Sequence, residues 1–300
     1  MSGLKRAFLR VDGPTWLVAA ALYGTWFLLV WYNAVLPWWV IMPVGAYLVA
    51  WHFSLQHEAI HSFRGVPAWV RFAVVFPPIG LWFPYPLYRK SHSTHHRDVN
   101  LTIPGVDTES YYVRKEDWAR MSRFWRGLLL VNQTLAGRLI LGPWLRLWTL
   151  IVRETRRVRE GDLSHVPHWA IHAAAVALLF WFISGVCKFP WWQYCLLVAY
   201  PGLSLGLLRA FTEHRAAEDS QERTASVESN AVFGVLFLYN NLHVAHHLKP
   251  TMPWYEIPRY YRENRAELLA SNAEFVYPGY AVLVRRFLLK PVFSPMHPFL

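Results

Sequence analysis

Apolar and polar positions along this chain separate into long blocks. From Thr15 to Trp31 no charged residue occurs, and Pro14 is placed to open a helix. After a short break at residues 32–36 a second apolar run extends from Pro37 to Phe53, and two more cover His168 to Val186 and Pro190 to Leu208, joined by a turn around Gly185 and Lys188. Each run falls at the short end of the ~17 to 25 residues that carry a helix across a bilayer. The pattern predicts spans at 15–31, 37–53, 168–186 and 190–208, with the second helix continuing past the bilayer through His57 and His61.

The intervening blocks, 54–166 and 209–265, are polar or broken. Val66 to Leu87 is apolar but interrupted by Pro67, Pro77, Pro78, Pro84 and Pro86. Such a backbone cannot satisfy itself in lipid as a straight helix, so a re-entrant or interfacial hairpin is expected. Gly127 to Ile151 mixes Leu, Ile and Trp with Arg138 and Arg146, which suits one helix lying in the membrane interface. Neither a 20–50-residue repeat nor a low-complexity linker divides the chain, so residues 1–300 read as one integral-membrane domain.

Composition agrees. Apolar residues make up 54% and charged residues only 16%, against roughly 25% in soluble domains. The net charge of +11 would suggest a nucleic-acid partner in a soluble chain. Here topology accounts for it, and no nucleic acid is expected. With four spans, every Lys and Arg except Lys188 lies on one side of the membrane, which the positive-inside rule makes cytoplasmic, both termini included. Lys5, Arg6 and Arg10 ahead of an apolar run superficially resemble a signal peptide, but no small-residue cleavage site follows and the run reads as a retained helix. Cys187 and Cys195 form no CxxC or metal-type pair.

The chemistry is concentrated in histidine. His57 and His61 stand four apart; His92, His95 and His96 repeat at i, i+3, i+4; His243, His246 and His247 do the same, and His214 lies between the second and third clusters. On a helix those spacings share one face. Nine imidazoles exceed the four that one tetrahedral zinc needs and suit two ions of higher coordination. Ligand type alone leaves iron, copper, zinc and nickel open. His52, His165, His168, His172 and His297 stand alone and read as ordinary core or surface residues.

The segment His57-Glu58-Ala59-Ile60-His61 also fits the HExxH pattern of zinc metallopeptidases. An intramembrane protease is therefore one alternative, although it leaves the other histidines without a role. A histidine-lined metal transporter is another. Transport sites belong near the bilayer midplane, whereas these clusters fall at or beyond the predicted cytoplasmic helix ends.

In their order and spacing, HxxxH at His57–His61 and HxxHH at His92–His96 and His243–His247, with His214 upstream of the last, the boxes resemble those of the membrane fatty acid desaturase superfamily. The resemblance covers residues 15–265, and around Asn230 to Arg265 it is similar to bacterial rhizobitoxine-type desaturases and rhizopine-pathway oxygenases. It implies an all-α integral membrane protein of four transmembrane helices, interfacial helices and a cytoplasmic cap holding a di-iron centre, with the nine histidines as ligands. It also implies a bacterial inner-membrane enzyme that uses O2 to place a double bond in a fatty acyl or similar alkyl chain. Hydroxylation of a lipid, alkane or other apolar substrate is the alternative outcome of the same chemistry.

No fused electron donor is evident, so a separate ferredoxin, rubredoxin or cytochrome b5 type donor with its reductase is expected. Glu58, Asp98, Glu213, Asp219 and Asn240 are candidates for orienting the ligand rings. Trp82, Phe83 and Tyr85 are candidates for lining an acyl tunnel. Arg153, Arg156, Arg157 and Arg159 would face anionic headgroups or dock an acidic donor.

Overall fold

An apolar run free of charge gains most by remaining helical, and the helix that begins at Trp38 runs unbroken for 24 residues to His61. At ~1.5 Å per residue this is roughly 36 Å, longer than the ~30 Å hydrocarbon layer. Its last turns, which carry His57 and His61, therefore have length to project beyond the apolar layer. The computed structural model describes residues 3–97 and 100–300. They form two compact units, Met1–Arg89 with Trp144–Gly206, and Lys90–Pro143 with Leu207–Leu300.

In the first unit, Gly13–Trp31, Trp38–His61 and Val166–Val186 are each long and apolar enough to cross a membrane. The third carries six π-helical residues at its end, Trp181–Val186. The fourth predicted span is also helical throughout, but as three consecutive pieces: Trp191–Tyr194, a π-helical Cys195–Ala199, and Tyr200–Ala210. Leu17, Leu28, Leu178, Trp181 and Leu196 are exposed, an apolar exterior of the kind lipid covers.

Close packing depends on glycine. A Cβ on Gly202 would lie 2.3 Å from Val49 Cβ, and one on Gly45 would lie 2.8 Å from Val198 Cγ2. The two helices therefore approach where small residues permit it. Tyr194 links buried polar groups across the unit: Trp26 Nε1 donates to Tyr194 OH at 2.9 Å, and Tyr194 OH donates to Ile79 O at 2.7 Å.

The expected break after Val66 is present. A short helix, Ala68–Val75, gives way to an irregular proline-rich stretch before Tyr85–His95 begins. Trp82 donates from Nε1 to Ala199 O at 3.0 Å, and Tyr85 is buried against Phe72. The single interfacial helix expected over 127–151 is instead three helices, Arg123–Asn132, Leu135–Ile140 and Gly142–Arg159. Thr134 caps the second by accepting from Gly137 N at 3.0 Å, and Pro143 cannot continue the helix before it.

The second unit holds its elements together through a small core and a few backbone ties. Ser226–Val227 pairs in parallel with Val276–Tyr277. Leu242, Val244, Ala245, Ile257, Tyr261 and Leu268 form a buried cluster. Residues Pro295 to Leu300 return along Val113 to Lys115, where Val113 N donates to Pro295 O at 2.9 Å and His297 N to Val113 O at 2.8 Å.

Candidate metal centre

The third histidine box is a six-residue helix, His243–Leu248. Val244 and Ala245 enter the apolar cluster with Ile257, Tyr261 and Leu268, which leaves His243, His246 and His247 on the remaining face. Asn241 anchors the approach: its Nδ2 donates to Val227 O at 2.7 Å, and its own carbonyl accepts from Val227 N at 2.7 Å. The second box ends the helix Tyr85–His95, and His96 N still donates to His92 O at 3.0 Å, so all three imidazoles keep helical spacing. His214 sits opposite Thr224 in an antiparallel bridge.

Within the second unit these histidines divide into two groups. In the first, the ligand nitrogens of His95, His214, His243 and His247 lie within 4.8 Å of one another. The Nε2–Nε2 separations are 3.2 Å for His95 and His214, 3.1 Å for His214 and His243, and 3.2 Å for His243 and His247. An ion about 2.1 Å from each nitrogen would place neighbouring ligands roughly 3.0 to 3.4 Å apart, from octahedral to tetrahedral geometry. In the second group His92, His96 and His246 also lie within 4.8 Å, with His96 and His246 Nε2 atoms 3.1 Å apart.

Helix geometry explains the division. At 100° per residue the i and i+4 side chains are about 40° apart, while i+3 lies about 60° to the other side. In box two the i, i+4 pair is His92 and His96, and His95 is the odd member; in box three the pair is His243 and His247, and His246 is odd. Each group takes the pair of one box and the odd histidine of the other.

The outer nitrogens of His92, His95, His214 and His243 are held by acceptors. His95 Nδ1 meets Asp107 Oδ1 at 2.8 Å, and His92 Nδ1 meets Glu109 Oε1 at 3.0 Å. His243 Nδ1 faces Asn240 O at 3.1 Å and Asn240 Oδ1 at 3.2 Å, and His214 Nδ1 faces Arg223 O at 3.3 Å. An acceptor at Nδ1 places the proton there and leaves Nε2 with a bare lone pair.

Burial lowers the pKa of His214, His243 and His247 and keeps them neutral. His95 differs. Burial opposes its charge, but Glu109, Asp107 and Glu213 outweigh that and raise its pKa to about 9. The surrounding carboxylates thus favour positive charge among these nitrogens. Glu213, whose own pKa is raised by burial, pairs with Arg209 at 3.0 Å and lies 3.6 Å from His243 Nδ1.

The other anticipated residues are placed as follows. His57 and His61 lie side by side at the end of their helix in the first unit, ring centroids 4.9 Å apart. Glu58, on the same turns, accepts from Ser62 Oγ. Asp219 is exposed and accepts from Gln221 N at 2.8 Å. Asp98 lies outside the described residues.

Asp107 and Glu109 escaped the sequence reading. They stand 12 and 17 positions from their histidines in an irregular loop, where no periodicity marks them. Among the isolated histidines, His172 bonds Leu81 O at 2.6 Å and His165 bonds Glu154 at 2.8 Å.

Two groups of closely spaced imidazoles in a strongly apolar, mostly helical protein define a histidine-rich site compatible with two metal ions. The fatty acid desaturase family matches residues 33–279, and the chain belongs to that family. It is therefore an oxidoreductase of a class that acts on lipids and draws on electron-transfer partners. No curated protein matches the chain.

Proposed function

We propose that this protein is an O2-dependent di-iron desaturase that introduces a double bond into a fatty acyl or similar alkyl chain at the membrane. The observation that carries this reading is the 3.1 Å approach of His214 Nε2 to His243 Nε2. Both rings present Nδ1 to carbonyl oxygens, so two bare lone pairs face each other. That arrangement is repulsive unless a cation lies between them.

One ion would be held by His95, His214, His243 and His247, and the other by His92, His96 and His246; the resemblance of the boxes to the desaturase pattern counts His57 and His61 among the ligands as well. An iron pair there would supply the oxidising power toward an unactivated C–H bond that no side chain has. The chain's own groups do the rest. Asp107, Glu109, Asn240 and the Arg223 carbonyl keep Nδ1 protonated and aim Nε2 inward, and Glu58 and Glu213 supply buried carboxylate near the ligand segments.

Trp191–Ala210 serves as the fourth span in this reading, which places the histidine segments and both termini on the cytoplasmic side of a bacterial inner membrane. The family match runs through both compact units, which supports treating 1–300 as one functional domain. A separate ferredoxin, rubredoxin or cytochrome b5 type donor delivers electrons, with Arg153, Arg156, Arg157 and Arg159 as the basic face available to it or to headgroups.

Iron analysis of the purified protein, with lipid profiling of cells making wild type or His246→Ala, tests the proposal. About two irons per chain and a new O2-dependent double bond, lost in the variant, are expected. A new hydroxyl would assign the hydroxylase chemistry instead. Absence of iron, or identical profiles with and without the substitution, would sink both.

A further inference from the structure

Residues 102–112 form a compact loop whose side chains reach both histidine groups. Asp107 is gripped from its own loop, accepting at Oδ2 from Thr102 N at 2.8 Å and at Oδ1 from Glu109 N at 2.9 Å. Ser110 Oγ closes the loop by donating to Thr102 O at 2.6 Å. Three further contacts reach outward: Thr108 Oγ1 donates to Ser91 O at 2.9 Å on the second-box helix, Tyr111 OH donates to His214 O at 2.6 Å, and Tyr112 OH accepts from Ala216 N at 3.1 Å. With the carboxylate contacts to His95 and His92, one segment touches a ligand in each group.

We propose that Asp107–Tyr111 is a single tether serving two metal positions separately, with Asp107 positioning the four-histidine group through His95 and Glu109 positioning the second group through His92. This rests on the two-metal reading above. The positions are also unequal: the Asp107 side chain is 2% exposed and Glu109 is 24% exposed. A carboxylate behind a ligating imidazole fixes its tautomer and strengthens it as a donor, and its loss typically weakens metal affinity about 10- to 100-fold. Because each carboxylate hydrogen-bonds a single histidine, Asp107 behind His95 and Glu109 behind His92, the larger loss falls on the ion of that histidine.

The test is Co2+ titration of the full-length protein purified in detergent, followed by visible absorption and chelator competition. Wild type is expected to take up two equivalents. Asp107→Asn should weaken one of them about 10- to 100-fold and alter chiefly its part of the spectrum, while Glu109→Gln should do so for the other. A His214→Ala background identifies which is which. There, Glu109→Gln should weaken the remaining equivalent about 10- to 100-fold and Asp107→Asn should leave it nearly unchanged.

Equal weakening of both equivalents by either substitution, or no change from both, overturns the tether. If either variant unfolds, Asp107→Glu and Glu109→Asp, which keep the charge and shift its position, take its place with the same site-by-site outcome expected. Uptake of a single equivalent by wild type would overturn the two-metal reading. The two-position tether would fall with it, whereas two equivalents that both ignore the substitutions overturn the tether alone.

Discussion

His243 Nδ1 lies 3.1 Å from the carbonyl oxygen of Asn240 and 3.2 Å from the same residue's Oδ1. Asn240 is not part of the box helix. It belongs to the turn that precedes it, where Leu238 and Tyr239 adopt positive φ of 46° and 55°, and the turn brings both oxygens onto one ring nitrogen. Asn240→Ala removes one acceptor and leaves the carbonyl. A loss of metal affinity near the low end of the usual range, about 10-fold, is expected, with folding preserved. Chelator competition on the purified variant checks it, and an unchanged affinity would show that the carbonyl alone orients the ring.

Gly202 offers a test of the apolar helices that does not touch the histidine clusters. A Cβ at this position would lie 2.3 Å from Val49 Cβ, so Gly202→Val must push two helices apart. Overpacking of this kind typically costs about 1 to 3 kcal/mol. Thermal unfolding in detergent should show a lowered midpoint, whereas Gly24→Ala, where nothing lies within 4 Å, should leave it unchanged or slightly raised.

Glu228 makes the acid limb of stability partly predictable. Its pKa is lowered chiefly by Arg265, with burial opposing, and Tyr261 OH also donates to it at 2.9 Å. A carboxylate whose folded pKa lies below its unfolded value contributes stability that is fully present above the unfolded pKa, about 4.3 for Glu. That contribution is lost as pH falls through the folded value. Glu228→Gln should therefore unfold at a lower temperature than wild type near neutral pH, and the difference should shrink below about pH 4. A gap independent of pH would remove Glu228 from the account.

Some of this was legible along the chain because it depends only on neighbours. Charge-free runs long enough to cross a bilayer specify the helices Gly13–Trp31, Trp38–His61 and Val166–Val186, and the i, i+3, i+4 spacing brings histidines to one helix face before any tertiary contact exists. The extension of the second helix through His61 was readable for the same reason. Where a local cap intervened, the reading blurred: Thr134 and Pro143 divide a stretch whose hydrophobicity alone suggested one interfacial helix.

Sequence by itself determined the clustered histidines, their local spacing and the apolar helices, since helix periodicity and hydrophobic transfer act between near neighbours. Only the tertiary structure decided how those histidines divide. His95 meets His214 across 119 positions, and His96 meets His246 across 150. Box two and box three each send their i, i+4 pair to one group and their i+3 member to the other. The acceptors behind the rings were likewise hidden, because Asp107, Glu109 and the Arg223 carbonyl reach their histidines through the path of loops. Which nitrogen carries the proton, and hence whether a site can hold a metal ion, follows from contacts that no local pattern encodes.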